Sequence, residues 1–202
     1  MIEKIFIDNI GFALGVWSIF YIADYYLTIY AARLYRSTAE EHFNVQGSYE
    51  LTPYYQKDVN ALKLISARFV AMLALSWVLI GVIWFLSVRL AEIPELYLLT
   101  LGGLILREAA VHLRHARNIA TFHLSRSANA VEGKITYSQP FSLRLSAVEL
   151  LSFAVFCLLL ALVVGSWFVL GGALSCSVLA VQHLRLAGKS SVSKAGGQEL
   201  SA

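Results

Sequence analysis

Two cysteines, three prolines and a charged fraction of only 14% are the scarcities that bound this chain of 202 residues. Cys157 and Cys176 both fall inside long apolar runs, without metal-ligand spacing and without a partner in a polar loop. A disulfide framework therefore has no basis here, and the two thiols read as small packing residues. The sequence also lacks a GxxxxGK[ST] phosphate loop, an HExxH pair, a Ser/His/Asp constellation and paired aspartates within an apolar run. ATP-driven work by this chain alone and the familiar hydrolytic chemistries lose their motif support. What replaces charge is apolar surface: hydrophobic residues are 58% of the chain and mean hydropathy is +0.65. A soluble domain of this size could not bury that much.

Apolar runs account for the excess. Residues 10–32, 65–88, 93–112, 143–164 and 167–184 are each close to the ~20 residues that cross a ~30 Å hydrocarbon core. The run from Phe141 to Ala187 is too long for one span, and Gly165-Ser166-Trp167 supplies a turn with an interfacial aromatic near its middle. The expected fold is all-α: a polytopic transmembrane helical bundle of five spans over residues 1–187. From Gly188 the composition turns to Gly, Ser and Lys, which predicts a disordered C-terminal tail over 188–202.

Basic residues orient these spans. Lys4 and Arg89 lie on one side, and the other 14 of the 16 Lys and Arg residues lie on the opposite side. Positive charge stays cytoplasmic during insertion, so the N-terminus is expected outside and the C-terminus inside. The net charge of +3 then reflects this bias rather than a nucleic-acid surface, which would need a concentrated basic patch with aromatics. Met1 to Asn9 lacks the basic character of a signal peptide, and the run after it is long enough to remain as a span.

Two helices are expected to outrun the membrane. Thr52 as N-cap and Pro53 at the first helical position start a helix with no evident break before Leu90, roughly 38 residues or ~57 Å. Pro94-Glu95 starts another that reaches about Arg126. Spans two and three would form a helical hairpin extending about 20 Å into the cytoplasm. The linker from Ser37 to Gln56, in which Ser37 with Glu40 and Thr38 with Glu41 have capping-box spacing and Gly47 to Pro53 follow, should pack at the cytoplasmic mouth, and a short strand is expected around Lys134 to Tyr137.

Asp24 precedes Thr28 by one helical turn in span one, and Glu50-Leu51-Thr52-Pro53 follows in the next connection. This resembles an Asp...Thr...Glu-Leu-Asn-Pro pattern in small multi-span bacterial membrane proteins of uncharacterised function, with Thr52 standing where that pattern has Asn. The resemblance covers about the first quarter of the chain. It implies a bacterial plasma (inner) membrane and no particular activity.

Ionisable residues within spans are costly to keep and are the first place to look for function. Asp24, Glu108, His112, Glu149 and His183 all fall in the cytoplasmic halves of their spans. Glu108, His112 and His115 follow an i, i+4, i+7 spacing and share one helical stripe, with Arg107, Arg114 and Asn118 on a neighbouring one. A carboxylate with two imidazoles could hold a transition metal if a fourth group such as Asp24 or Glu149 joined it, or could relay protons. The plainer reading is a structural network in which Glu108 pairs with Arg68, Arg107 or His112, and Asp24 with Tyr21. Gly11 and Gly15, Gly102 and Gly103, and Gly171 and Gly172 lie in the outer halves, where small residues let helix backbones approach.

These features lead to an oligomeric channel or transporter for an ion or small solute. Tyr21, Asp24, Thr28, Arg68, Glu108, His112, Glu149 and His183 would line a polar inner vestibule in the lipid bilayer. Five spans rarely enclose a path alone, so a homo-oligomer is expected. The competing readings are a scaffolding membrane protein that binds a partner through the hairpin, and a metal-dependent membrane enzyme; no cofactor is identified.

Overall fold

The computed structural model describes residues 2–45, 53–125 and 131–199. The chain forms α1 (Ile2–Asp8), α2 (Ile10–Leu34) with a π-helical extension (Tyr35–Ala39), β1 (Phe43–Val45), α3 (Pro53–Asn60) and α4 (Ala67–Trp84) with a second π-helical extension (Phe85–Leu90). It continues through α5 (Pro94–Leu124), β2 (Ile135–Tyr137), α6 (Gln139–Val164) and α7 (Trp167–Glu199). Five of its helices are long and apolar enough to cross a membrane, from Ile10, Ala67, Pro94, Gln139 and Trp167. Their outward faces carry large apolar side chains: Ile19 is 68% exposed, Leu162 74% and Val163 85%. Such an exterior suits hydrocarbon and not water, as integration into a membrane requires.

Helices end where local chemistry ends them. Asn9 starts α2 by accepting a hydrogen bond from the Phe12 amide at 2.9 Å. The α6–α7 turn is made by Gly165 at φ +67°, a backbone conformation that disfavours a side chain. At the same turn Glu3 of α1 accepts from the Ser166 hydroxyl at 2.6 Å and the Phe168 amide at 3.2 Å, placing an anion at the N-terminus of α7. α1 is held further by Trp84, whose indole N–H donates to the Ile7 carbonyl at 2.9 Å.

α5 and α7 approach each other closely at their glycines. A Cβ at Gly102 would meet the Phe168 carbonyl, one at Gly171 would meet the Leu99 carbonyl, and one at Gly103 would lie 3.2 Å from the Gly171 carbonyl. Four glycines thus interlock two backbones, since Gly172 in turn faces Leu106. Gly11 and Gly15 of α2 correct the expectation for that helix: nothing lies within 4 Å of a Cβ built on Gly15, and Gly11 meets its own Asn9 cap. α2 turns the other way, burying Ala13 and Trp17 against Tyr97, Leu98 and Leu101 of α5.

The expected continuous helix before Leu90 is also corrected. It breaks between Asn60 and Ala67, where Leu62 takes φ +49° and Ser66 begins a new helix by accepting from the Arg68 and Phe69 amides. Asp58 secures the break by accepting from Ser66 Oγ at 2.6 Å and pairing with Lys63 at 3.0 Å. α3 consequently folds onto α2, where Tyr55, Val59 and Leu62 join Tyr25, Ile29 and Phe69. The Thr52 cap and the linker before it lie outside the described residues.

Ser37 does not open a helix, because α2 continues through it as a π turn and its hydroxyl donates back to the Leu34 carbonyl at 3.3 Å. The strand expected near Lys134 is present as β2, and it pairs in parallel with β1, Phe43 opposite Ile135 and Val45 opposite Tyr137. α7 runs from Trp167 to Glu199.

Candidate functional site

Two polar clusters sit at the end of the bundle that carries β1 and β2. The first joins α2 to α5. Asp24 and Thr28, one turn apart on α2, both meet His115 Nε2, at 3.3 Å and 3.1 Å. His115 is buried, and its Nδ1 has no hydrogen-bond partner among the described residues. One turn earlier on α5, His112 donates from Nε2 to the Phe20 carbonyl at 3.0 Å while its ring stacks on Phe20 with centroids 5.4 Å apart. Glu108 is buried and accepts from the adjacent Arg107 at 2.7 Å.

The stripe of Glu108, His112 and His115 therefore lies on α5, but each member engages a different partner. Among the described residues no three His, Cys, Asp or Glu side chains converge as a metal site would require. Arg68 stands apart from the cluster in which it was expected: it donates to the Tyr54 carbonyl at 3.0 Å and stacks over the Tyr54 ring. Tyr21 pairs with Tyr55, hydroxyl to hydroxyl at 2.7 Å, and so ties α2 to α3. The partner anticipated for Asp24 is His115 instead.

The second cluster joins α5, α6 and α7. Arg114 donates to Ser146 Oγ at 2.5 Å, and His183 Nδ1 meets the same oxygen at 3.0 Å. Arg117 pairs with Glu149. Glu149 and His183 are thus brought together with α5 through its two arginines, separately from Asp24.

Between these groups lies a cavity of about 310 Å³. Arg114, His115, Arg117, Asn118 and Thr121 of α5 form one wall, and Ser142, Leu145, Ser146 and Glu149 of α6 the other. Phe43, Val45 and Tyr137 from the strand pair and Phe122 of α5 make its apolar side, with Phe43 and Tyr137 stacked at 6.3 Å. The lining holds two guanidinium groups against one carboxylate, an excess of positive charge in a partly enclosed space.

Arg117, Ser142 and Ser146 are the residues that the intramembrane-charge argument passes over. A signal for them exists: Ser142, Ser146 and Glu149 are spaced i, i+4, i+7 on α6, and Arg114, Arg117 and Thr121 are spaced i, i+3, i+7 on α5. Two polar stripes on neighbouring helices are what a shared cavity needs. The strand near Lys134 was legible in the sequence, but its non-local pairing with β1, which closes the cavity, left no such trace. Comparison with family models, curated proteins and solved structures gave no match for this chain, so the functional reading rests on the cavity and its side chains.

Proposed function

We propose that the protein is a small membrane carrier that admits an anionic solute into the vestibule between α5 and α6. The cavity carries this reading, because its walls present Arg114 and Arg117 with Asn118, Ser142 and Ser146, and set only Glu149 against them. Guanidinium groups with neighbouring hydroxyl and amide donors are the usual recognition set for carboxylate or phosphate oxygens. By the basic asymmetry this end faces the cytoplasm of a bacterial plasma membrane, with the N-terminus outside.

The opposite end favours a carrier over an open pore. There Gly102, Gly103, Gly171 and Gly172 interlock α5 with α7, and Glu3 fastens the α6–α7 turn. Release on that side requires the helices to repack, or a path between copies in a homo-oligomer. The Asp24–Thr28–His115 contact joins α2 to α5 beside the vestibule.

Reconstituted vesicles test the proposal. Wild-type protein should raise uptake of small organic anions above that of empty vesicles, and Arg114→Gln should lower it at least several-fold without affecting cation leakage. An anion uptake equal to that of empty vesicles removes the carrier reading.

A further inference from the structure

A second cavity, of about 240 Å³, adjoins the first and shares Arg114, Arg117 and Glu149 with it. Its remaining lining is hydrocarbon: Ala110, Val111 and Leu113 of α5, and Leu150 and Phe153 of α6. It exists because α5 and α6 each pack along α7 but scarcely touch one another. Leu113, at its edge, is 62% exposed on the apolar exterior of the bundle.

Helix direction orders the two cavities. α5 runs toward the β1–β2 end and α6 runs away from it, so residues 110–113 and 150–153 lie further from that end than Thr121 and Ser142. From Thr121 back to Ala110 is about 16 Å along the helix axis. In the proposed orientation the polar cavity would stand at headgroup depth and the apolar one beside acyl chains, with the arginines at their junction.

We propose that the vestibule is entered sideways from the bilayer, and that the gap between α5 and α6 seats an anionic phospholipid. Its phosphate lies on Arg114 and its first acyl carbons lie against Leu113, Leu150 and Phe153, the rest of each chain remaining in the membrane. This rests on the anion-binding reading of the same vestibule and names its ligand class. Charge selects the lipid: two guanidinium groups and one carboxylate leave one positive charge, which matches a phosphodiester without an amine. A zwitterionic head would bring an ammonium against Arg114 and Arg117. A fully water-soluble anion would leave the apolar cavity without a matching part.

The test is native mass spectrometry of the full-length protein in detergent, titrated with phosphatidylglycerol, with phosphatidylcholine of identical chains, and with glycerol 3-phosphate. Phosphatidylglycerol should bind at least about tenfold more tightly than phosphatidylcholine, with Arg114→Gln abolishing that preference and Arg114→Lys restoring part of it. Leu113→Trp narrows the gap from the lipid side without touching the charges, and should weaken phosphatidylglycerol binding while sparing glycerol 3-phosphate. Equal binding of the two lipids, or a preference that survives both Arg114→Gln and Leu113→Trp, overturns the proposal. Glycerol 3-phosphate binding that depends on Arg114, without lipid preference, overturns lateral access and leaves the anion site standing. Binding of none of the three overturns both.

Discussion

Arg114 of α5 and Ser146 of α6 meet guanidinium to hydroxyl at 2.5 Å, and His183 closes on the same hydroxyl from α7. The Arg117–Glu149 pair lies on the wall of the same cavity.

Glu149 competes with any incoming anion for Arg117. Glu149→Gln should raise the affinity for glycerol 3-phosphate or an anionic lipid by roughly three- to tenfold, the scale of a partly exposed ion pair. Isothermal titration in detergent measures it. A weaker affinity in this variant would mean that Glu149 helps to hold the ligand.

The α5–α7 lock predicts an asymmetry among glycines. Gly171→Ala forces a Cβ onto the Leu99 carbonyl and should cost about 1–3 kcal/mol of stability by overpacking, whereas Gly15→Ala has open space around it and should be close to neutral. Thermal unfolding of the purified variants in one detergent compares them.

The break before α4 has its own signature. Ser66→Ala removes the side chain that caps α4 and should cost about 1 kcal/mol. The Ser66 hydroxyl, and then Lys63, hold the Asp58 carboxyl below its ordinary value. A depressed folded-state value means that its contribution is present above the unfolded-state range near ~3.9 and is lost as pH falls through the lower folded-state value. Acid unfolding monitored by circular dichroism should therefore lose an acid-limb component in Asp58→Asn, whose stability should depend less on pH below about 4 than that of the wild type.

Topology follows from the basic residues. A fluorescent reporter fused after Ala202 should be active in the cytoplasm, and alkaline phosphatase fused after Gly165 should be active outside. The reverse pair of results would invert the vestibule and the side from which it fills.

Length and hydropathy made five helices legible, because a run that must cross hydrocarbon leaves its signature in every residue. The α6–α7 turn was equally legible from Gly165. The break at Ala61 to Ser66 was not, since it depends on a cap whose strength comes from Asp58, eight positions earlier, and on a positive φ at Leu62. Gly11 and Gly15 misled for a related reason: their spacing shows that they share a face, but Ala13 and Trp17 decide which face packs. Within the site, the pairing of Asp24 with His115 was not readable from the sequence. The vestibule itself needed α6 to lie beside α5 with the strand pair across its end, an arrangement set by tertiary packing.

Charge-selective labelling probes whether the vestibule between α5 and α6 is water-accessible and positively charged. In a background with Cys157 and Cys176 replaced by alanine, Thr121→Cys places a thiol on the cavity wall. A negatively charged methanethiosulfonate should modify it several-fold faster than a positively charged one of equal size, and Arg114→Gln in the same background should erase that difference. Faster reaction with the cationic reagent, or no reaction with either, would contradict the account.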